Sequence, residues 1–229
     1  MRAAIHQPQY LPWLGFLDKI NSCDIFVILD DVQYKKREFQ NRNRIRTPEG
    51  AIWVTVPVLT KGRYYQKINE VIIDNSSAWG QEHIRSIESS YRGSRYFDKY
   101  FPPLCGILSK KHEELCGLNI EIIRFLMDAF GIKTPLVISS SLGVESSKTR
   151  RLIDICRLVG ADEYLSGAGG RDYMEEDLFD EAGIRLSYQE FIHPEYEQKF
   201  EGFVSHLSSV DYLFNRGGTF PEASEQGGG

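Results

Sequence analysis

The chain has 229 residues, of which 41% are hydrophobic and 26% charged, a composition that excludes a largely disordered protein. Its formal net charge of −5 argues against a protein whose main work is to coat nucleic acid, so no general nucleic-acid binding is expected. The length favours one domain with a core of its own.

The first elements along the chain predict a strand, loop, helix, strand unit. Residues 2–6 (RAAIH) are an apolar strand candidate that stops at Gln7-Pro8, and apolar residues at helical spacing follow the loop. Residues 25–31 (IFVILDD) form a continuous β-branched run, typical of a strand buried on both faces of a parallel sheet. Two parallel strands joined through a helix form a right-handed unit in nearly all known cases.

The later elements continue this alternation. Strands are predicted at 51–58, 68–73, 135–141 and 185–191, a helix at 148–161, and a further strand that ends at Ser166-Gly167. The pattern predicts an α/β fold with a mostly parallel sheet and flanking helices. We expect a single domain over residues 1–218, largely helical at about 79–131, and a disordered tail at 219–229.

The cysteines and the lengths of the apolar runs indicate the cellular compartment that we expect for the protein. The four cysteines form no CxxC pair and no histidine stands at metal-ligand spacing, so no metal site is predicted and a reducing cytoplasm fits best. Met1 leads directly into a predicted strand, and no apolar run approaches the ~18–20 residues that span a bilayer. We therefore expect a cytoplasmic protein without leader or membrane span. An oligomer remains open, because nothing locates an interface.

Ligands of open parallel sheets bind beyond the carboxyl ends of the strands, and three loops lie there. The first loop begins at His6, a candidate catalytic base, and opens a helix whose N-terminal amides can receive a phosphate or carboxylate. Its binding candidates are Gln7, Tyr10, Trp13 and Gly15. The alternative is a rigid connection that uses its aromatic residues as core anchors.

The second loop follows the strand at 25–31. Asp30 and Asp31 are candidate catalytic acids, since paired carboxylates at a strand end hold a metal or a ribose, although they also cap turns. The basic stretch after them supplies donors suited to phosphate or carboxylate, from Lys35 to the cluster Asn41, Arg42, Asn43. A solvated loop or hairpin face is the alternative.

The third loop begins with Ser166 and Gly167, where a glycine-rich turn lets backbone amides approach an anion. A plain turn explains it equally well. Near the C-terminus, His193 stands in an HPEY segment with Tyr196, as a second candidate base or as a hydrogen-bonded structural residue. No Ser-His-Asp or Cys-His constellation follows from spacing alone.

Segments along most of the chain resemble the WbqC-like protein family. The resemblance covers about residues 3–217 and rests on IHQPQYLPWLGFLDKI, VILDDVQYKKREFQNRNRI, WVTVPV, YLSG, HPEY and LSSVDYLFNRG, in that order. It implies a part in bacterial O-antigen and related surface-polysaccharide synthesis, with acyl or aminoacyl groups attached to amino sugars. It supplies no settled set of catalytic residues and no cofactor.

The leading hypothesis is a transferase that acylates or aminoacylates the amine of a nucleotide-linked amino sugar. The cluster at 41–43 and the helix start at Gly15 would hold phosphates. His6 or His193, with one aspartate of the 30–31 pair, would deprotonate the attacking ammonium, because only the neutral amine is a nucleophile.

Two rival functions stay open. The opening as far as Leu14-Gly15-Phe16 resembles HIGH-type nucleotidyltransferases and pantothenate-synthetase-like ligases, although both histidines of their phosphate-binding loop are absent here. An ATP-dependent ligase or nucleotidyltransferase is therefore the second hypothesis. A non-catalytic binding or assembly protein of polysaccharide synthesis is the third.

Overall fold

A computed structural model describes residues 1–172 and 174–221. Its strands are β1 (Arg2–His6), β2 (Ile25–Ile28), β3 (Arg42–Thr47), β4 (Gly50–Thr55), β5 (Leu136–Ile138), β6 (Glu163–Ser166) and β7 (Arg185–Tyr188). Its α-helices are α1 (Leu14–Asn21), α2 (Trp79–Tyr91), α3 (Phe97–Leu108), α4 (Leu115–Ala129), α5 (Lys148–Leu158), α6 (Glu176–Ala182) and α7 (Ser209–Arg216). None of these helices has the length and apolar composition that a membrane crossing requires.

The described residues form two compact units. The first, here called the sheet unit, comprises residues 1–8, 15–32 and 133–191. The second, here called the helical unit, comprises residues 9–14 and 33–132 together with the described residues from 192 on. The three helices α2, α3 and α4 lie within the segment expected to be helical. The single domain over 1–218 stays a prediction, and the tail predicted at 219–229 lies outside the described residues except for its first three.

The sheet unit contains a five-stranded, fully parallel sheet in the order β5-β2-β1-β6-β7. The central strand β1 is buried on both faces, which agrees with its apolar sequence. Helices α5 and α6 pack on the sheet, where the Tyr164 and Phe179 rings stack at 5.4 Å in a buried cluster. The predicted α/β class with a mostly parallel sheet and flanking helices is confirmed.

The helical unit is organised around a buried carboxylate. Asp211 of α7 is fully buried and accepts hydrogen bonds from the hydroxyls of Tyr91 (2.9 Å) and Tyr196 (2.8 Å) and from Gln198 Nε2 (3.0 Å). The Tyr91 hydroxyl also accepts the amide of Arg46 in β3, at 2.9 Å. The network ties α2, α7 and the β3–β4 hairpin together, and it engages one of the predicted binding residues, Tyr196, in a structural contact.

Three segments differ from the sequence predictions. The strand predicted at 135–141 ends at Ile138, and Ser139–Leu142 forms a 3-10 turn. The predicted strand at 68–73 is a 3-10 turn at Ile68–Glu70 followed by isolated bridges, because Glu70 accepts the amide of Lys67 and tightens the chain. The basic stretch, for which no regular element is predicted, forms strand β3 and pairs antiparallel with β4. Gly50 starts β4 at a φ of 131°, a backbone angle open to glycine, so the hairpin closes there.

Candidate functional site

The strand order locates a candidate site in the sheet unit. From β1 the chain adds β2 and β5 on one side and then returns to add β6 and β7 on the other, so the order reverses between β1 and β6. Ligands of doubly wound sheets bind at the carboxyl ends of the two strands that flank such a reversal. Here those ends are His6 and Ser166, both predicted site residues.

The His6 imidazole is held in a defined tautomer. Its Nδ1 lies 2.9 Å from the carbonyl oxygen of Gln7, which only accepts, so Nδ1 carries the proton and Nε2 is the acceptor nitrogen. The Phe16 ring packs edge-on at 5.2 Å. Burial, and then the nearby Lys19 ammonium, lower the pKa of His6 to about 4. His6 is therefore neutral at pH 7, and its Nε2 carries no proton.

The Lys19 side chain, which the sequence analysis did not select, lies between the same two strand ends. Its Nζ donates to the carbonyl oxygen of Ile5 at 3.2 Å and stands 6.0 Å from the Tyr164 ring centroid. The residue is 3% exposed, and no carboxylate of the described ranges forms a salt bridge with it. Burial lowers its pKa to about 8, so it remains mostly protonated at pH 7. A buried cation without a counter-charge is costly, and an anionic ligand would offset that cost.

The loop after β6 completes this edge. Gly167 is adjacent to Lys19, since a Cβ built on it would lie 3.9 Å from the ammonium. Ser166 is buried and its hydroxyl donates to the Gly167 carbonyl at 3.2 Å. In the first turn of α1, the Gly15 carbonyl oxygen accepts a hydrogen bond from Gln189 Nε2 at 2.8 Å. His6, Gly15, Ser166 and Gly167 of the predicted set therefore belong to the sheet unit, as does the half-buried Gln7.

Position 170 in this loop favours glycine because the Ser166 side chain lies too close for a Cβ atom. A Cβ at Gly170 would lie 2.1 Å from Ser166 Oγ and 3.3 Å from Met174 Cε, whereas a Cβ at Gly169 would meet nothing within 4 Å. We expect Gly170→Ala to lower the free energy of unfolding by about 1–3 kcal/mol, because the loop must shift to accept the methyl group. Urea unfolding measures the change, with Gly169→Ala as the matched control. Adding Ser166→Ala should restore most of the loss, and equal effects at both glycines would contradict this explanation.

The two predicted catalytic aspartates are engaged in contacts with neighbouring elements. Asp30 is 3% exposed and accepts the amide of Ser140 at 2.9 Å and its hydroxyl at 2.7 Å. Asp31 accepts the Ser139 hydroxyl at 2.8 Å and pairs with Arg151 of α5. These carboxylates fasten the end of β2 to the turn after β5, on the side of β1 away from β6.

Three predicted binding residues of the helical unit are buried. The Tyr10 hydroxyl is 2.7 Å from His83 Nδ1. Asn43 donates to the Leu11 carbonyl at 2.8 Å, and Asn41 donates to the Val56 carbonyl at 2.9 Å. All three are at most 7% exposed. Each side chain satisfies a backbone or side-chain group of its own unit, which stabilises the hairpin and the loop at residues 9–14.

The other candidates of the helical unit surround His206 or lie near the surface. The Trp13 ring stacks on His206 at 5.3 Å, and the His193 ring lies 5.0 Å from His206. Burial lowers the pKa of His193, whose Nδ1 faces its neighbour's carbonyl at 2.9 Å. The Arg42 guanidinium lies 4.2 Å from the Trp53 ring centroid, and Lys35 is exposed. The predicted residues thus fall into two groups, one in each unit.

Known proteins are similar to this chain over nearly its whole length. The model of the WbqC-like protein family matches residues 7–221, which run through both of them. "Uncharacterized protein Rv1507c" of Mycobacterium tuberculosis (strain ATCC 25618 / H37Rv) is 39% identical over 223 residues, covering 96% of this chain and 96% of the relative. No solved structure matches the chain.

Proposed function

Because this chain belongs to the WbqC-like protein family, we propose that it acylates or aminoacylates the amine of a nucleotide-linked amino sugar in bacterial surface-polysaccharide synthesis. The family's association with O-antigen synthesis supports the pathway. The observation that carries the proposal is the buried Lys19 ammonium beside the neutral His6 imidazole, at the reversal of the strand order. The Lys19 ammonium can bind an anion, and Nε2 of His6 is an unprotonated nitrogen that can take up a proton.

Lys19 supplies the anion-binding part. A sugar nucleotide carries a diphosphate, and a cation in a site of low dielectric constant attracts it more strongly than a cation in water does. The Gly167 backbone lies next to the ammonium, and it and the first turn of α1 at Gly15 would supply backbone donors to a bound diphosphate. Binding of the diphosphate would compensate the charge that the fold leaves unpaired.

His6 supplies the proton acceptor. The neutral amine attacks the acyl carbon, a C–N bond forms, and the bond from the acyl carbon to its carrier breaks with its electron pair going to the carrier. The proton of the attacking nitrogen passes to Nε2 of His6, which is the acceptor nitrogen. A bound diphosphate opposes the electrostatic effect of Lys19 on the imidazole, so it raises the pKa of His6 and makes the base stronger.

Nucleotidyl transfer or ATP-dependent ligation is the second candidate, favoured by the strand order. Numbered in chain order within the sheet, the strands run 3-2-1-4-5, an order typical of nucleotide-binding doubly wound folds. Lys19 would then bind ATP phosphates. A non-catalytic role in polysaccharide assembly is the third candidate, and it predicts no turnover with any donor.

A thermal-shift panel tests the proposal. The purified chain is heated with ATP, with acyl-CoA, and with dTDP-, UDP- and GDP-linked amino sugars. A ligand at 100 times its Kd stabilises the folded state by about 2.7 kcal/mol, which raises the melting temperature measurably. We expect one sugar nucleotide to raise it, and the matching nucleoside diphosphate without sugar to raise it less. A shift with ATP alone would favour the ligase, and no shift with any compound would contradict the proposal.

A further inference from the structure

The helical unit exposes several aromatic and aliphatic side chains within one stretch of the chain. Six of the nine large hydrophobic residues that are exposed in the described ranges lie between Phe39 and Tyr65. Tyr64 and Tyr65 are 74% and 82% exposed and pack edge to face on each other at 4.9 Å. Phe39 and Trp53 pack at 6.0 Å between ring centroids. Clustered apolar groups in water mark an interaction surface rather than random exposure.

Backbone and side-chain contacts join the loop at residues 33–40 to the loop at residues 59–66. Gln33 Nε2 donates to the carbonyl of Tyr64 at 3.1 Å, and the amide of Tyr34 donates to the carbonyl of Gln66 at 3.0 Å. Gln66 Nε2 closes the loop at residues 59–66 by donating to the Leu59 carbonyl at 3.2 Å. The two loops therefore present their side chains from one joined segment.

The same segment concentrates positive charge. Residues 35–67 contain nine lysines and arginines and two glutamates, a formal net charge of +7 in a chain whose net charge is −5. Six of these cations are exposed, namely Lys35, Lys36, Arg37, Lys61, Arg63 and Lys67. A basic region in an otherwise acidic chain points to an anionic partner.

We propose that these cations, together with Phe39, Trp53, Leu59, Tyr64 and Tyr65, form a basic aromatic surface that docks the protein on an anionic lipid bilayer. Lysine and arginine are attracted to anionic headgroups, and tyrosine and tryptophan favour the boundary between headgroups and acyl chains. Nucleic acid fits less well, because it binds aromatic residues by stacking on the ring faces, and Leu59 offers no such face. At a bilayer Leu59 leaves water and becomes favourable.

Vesicle co-sedimentation of the purified full chain tests this docking. Vesicles of phosphatidylcholine alone are compared with vesicles that also contain phosphatidylglycerol, at low and at raised salt. We expect binding to the anionic vesicles only, weakened by salt because the attraction is screened. The double variants Lys61→Glu/Arg63→Glu and Tyr64→Ser/Tyr65→Ser should each lower the partition coefficient by about tenfold or more.

Two double variants outside the surface serve as controls. Arg124→Glu/Arg150→Glu reverses two exposed cations of α4 and α5, and Leu158→Ser/Ile192→Ser removes two exposed aliphatic groups. Both should bind vesicles as the unaltered chain does. Equal binding to neutral vesicles, loss of binding in the controls, or binding of single-stranded DNA without binding to any vesicle would overturn the proposal.

Discussion

Lys19→Met is expected to leave the protein at least as stable as before and to weaken sugar-nucleotide binding by about 30-fold or more. Methionine fills nearly the same volume, and it removes a cation that is 3% exposed and has no salt-bridge partner within the described ranges. Exchange of buried charges for apolar groups is often neutral or stabilising by about 1–4 kcal/mol. The lost hydrogen bond to the Ile5 carbonyl offsets part of that gain.

The pH dependence of stability distinguishes a charge effect from a packing effect. The pKa of Lys19 is about 8 in the folded chain, below its ordinary value of 10.5, so the unaltered protein gains stability as the pH rises from about 8 towards 10.5. The advantage of Lys19→Met should therefore be largest near pH 7 and shrink above pH 8. Lys133→Met replaces an exposed lysine of the same unit and should change neither stability nor binding. Sugar-nucleotide binding that survives Lys19→Met would contradict the assignment of this cation.

Strands β1 and β2 were predictable because burial on both faces of a parallel sheet demands continuous apolar runs, and RAAIH and IFVI are such runs. The last residue of a predicted strand lies at its carboxyl end, so His6 could be selected from the sequence alone. The strand order depends on contacts between distant parts of the chain, such as the pairing of β1 with β6. The sequence therefore indicated three candidate loops, and the strand order puts the first and the third of them, after β1 and β6, at the reversal.

Lys19 could not be found by periodicity. A lysine in a short amphipathic helix is expected on the solvent side, but α1 is buried almost all round and encloses the ammonium. Its only signal is the apolar LGFL run before it, which fits a central helix. Strand β3 was missed for a related reason, because its buried residues include the polar Asn43 and Arg46, and only Ile45 among them is apolar. In both places tertiary contacts, rather than local composition, decide which polar side chains are buried.

Replacing His6 by glutamine is expected to lower kcat by about 10²- to 10⁴-fold, with the sugar nucleotide identified by thermal shift as substrate, and to change KM far less. Glutamine keeps a donor for the Gln7 carbonyl but has no proton acceptor of comparable basicity. Without the base, the proton of the attacking nitrogen must pass to water or hydroxide, so the residual kcat should rise steadily with pH. His112→Gln, a change in a half-buried histidine of the helical unit, should leave kcat unchanged. Loss of kcat in His193→Gln but not in His6→Gln would transfer the role to His193.

Stability measurements on His6→Gln report on the environment of the imidazole independently of any substrate. The folded pKa of His6 is about 4 and its ordinary value is 6.5, so on acidification the unfolded chain takes up a proton before the folded chain does. The free energy of unfolding of the unaltered protein should therefore fall relative to His6→Gln between about pH 6.5 and pH 4, and the difference should be constant above pH 6.5. A difference that stays constant throughout would mean that water reaches His6 freely. The neighbouring Lys19 would then also lie in water-accessible surroundings, where its attraction for a diphosphate is weaker.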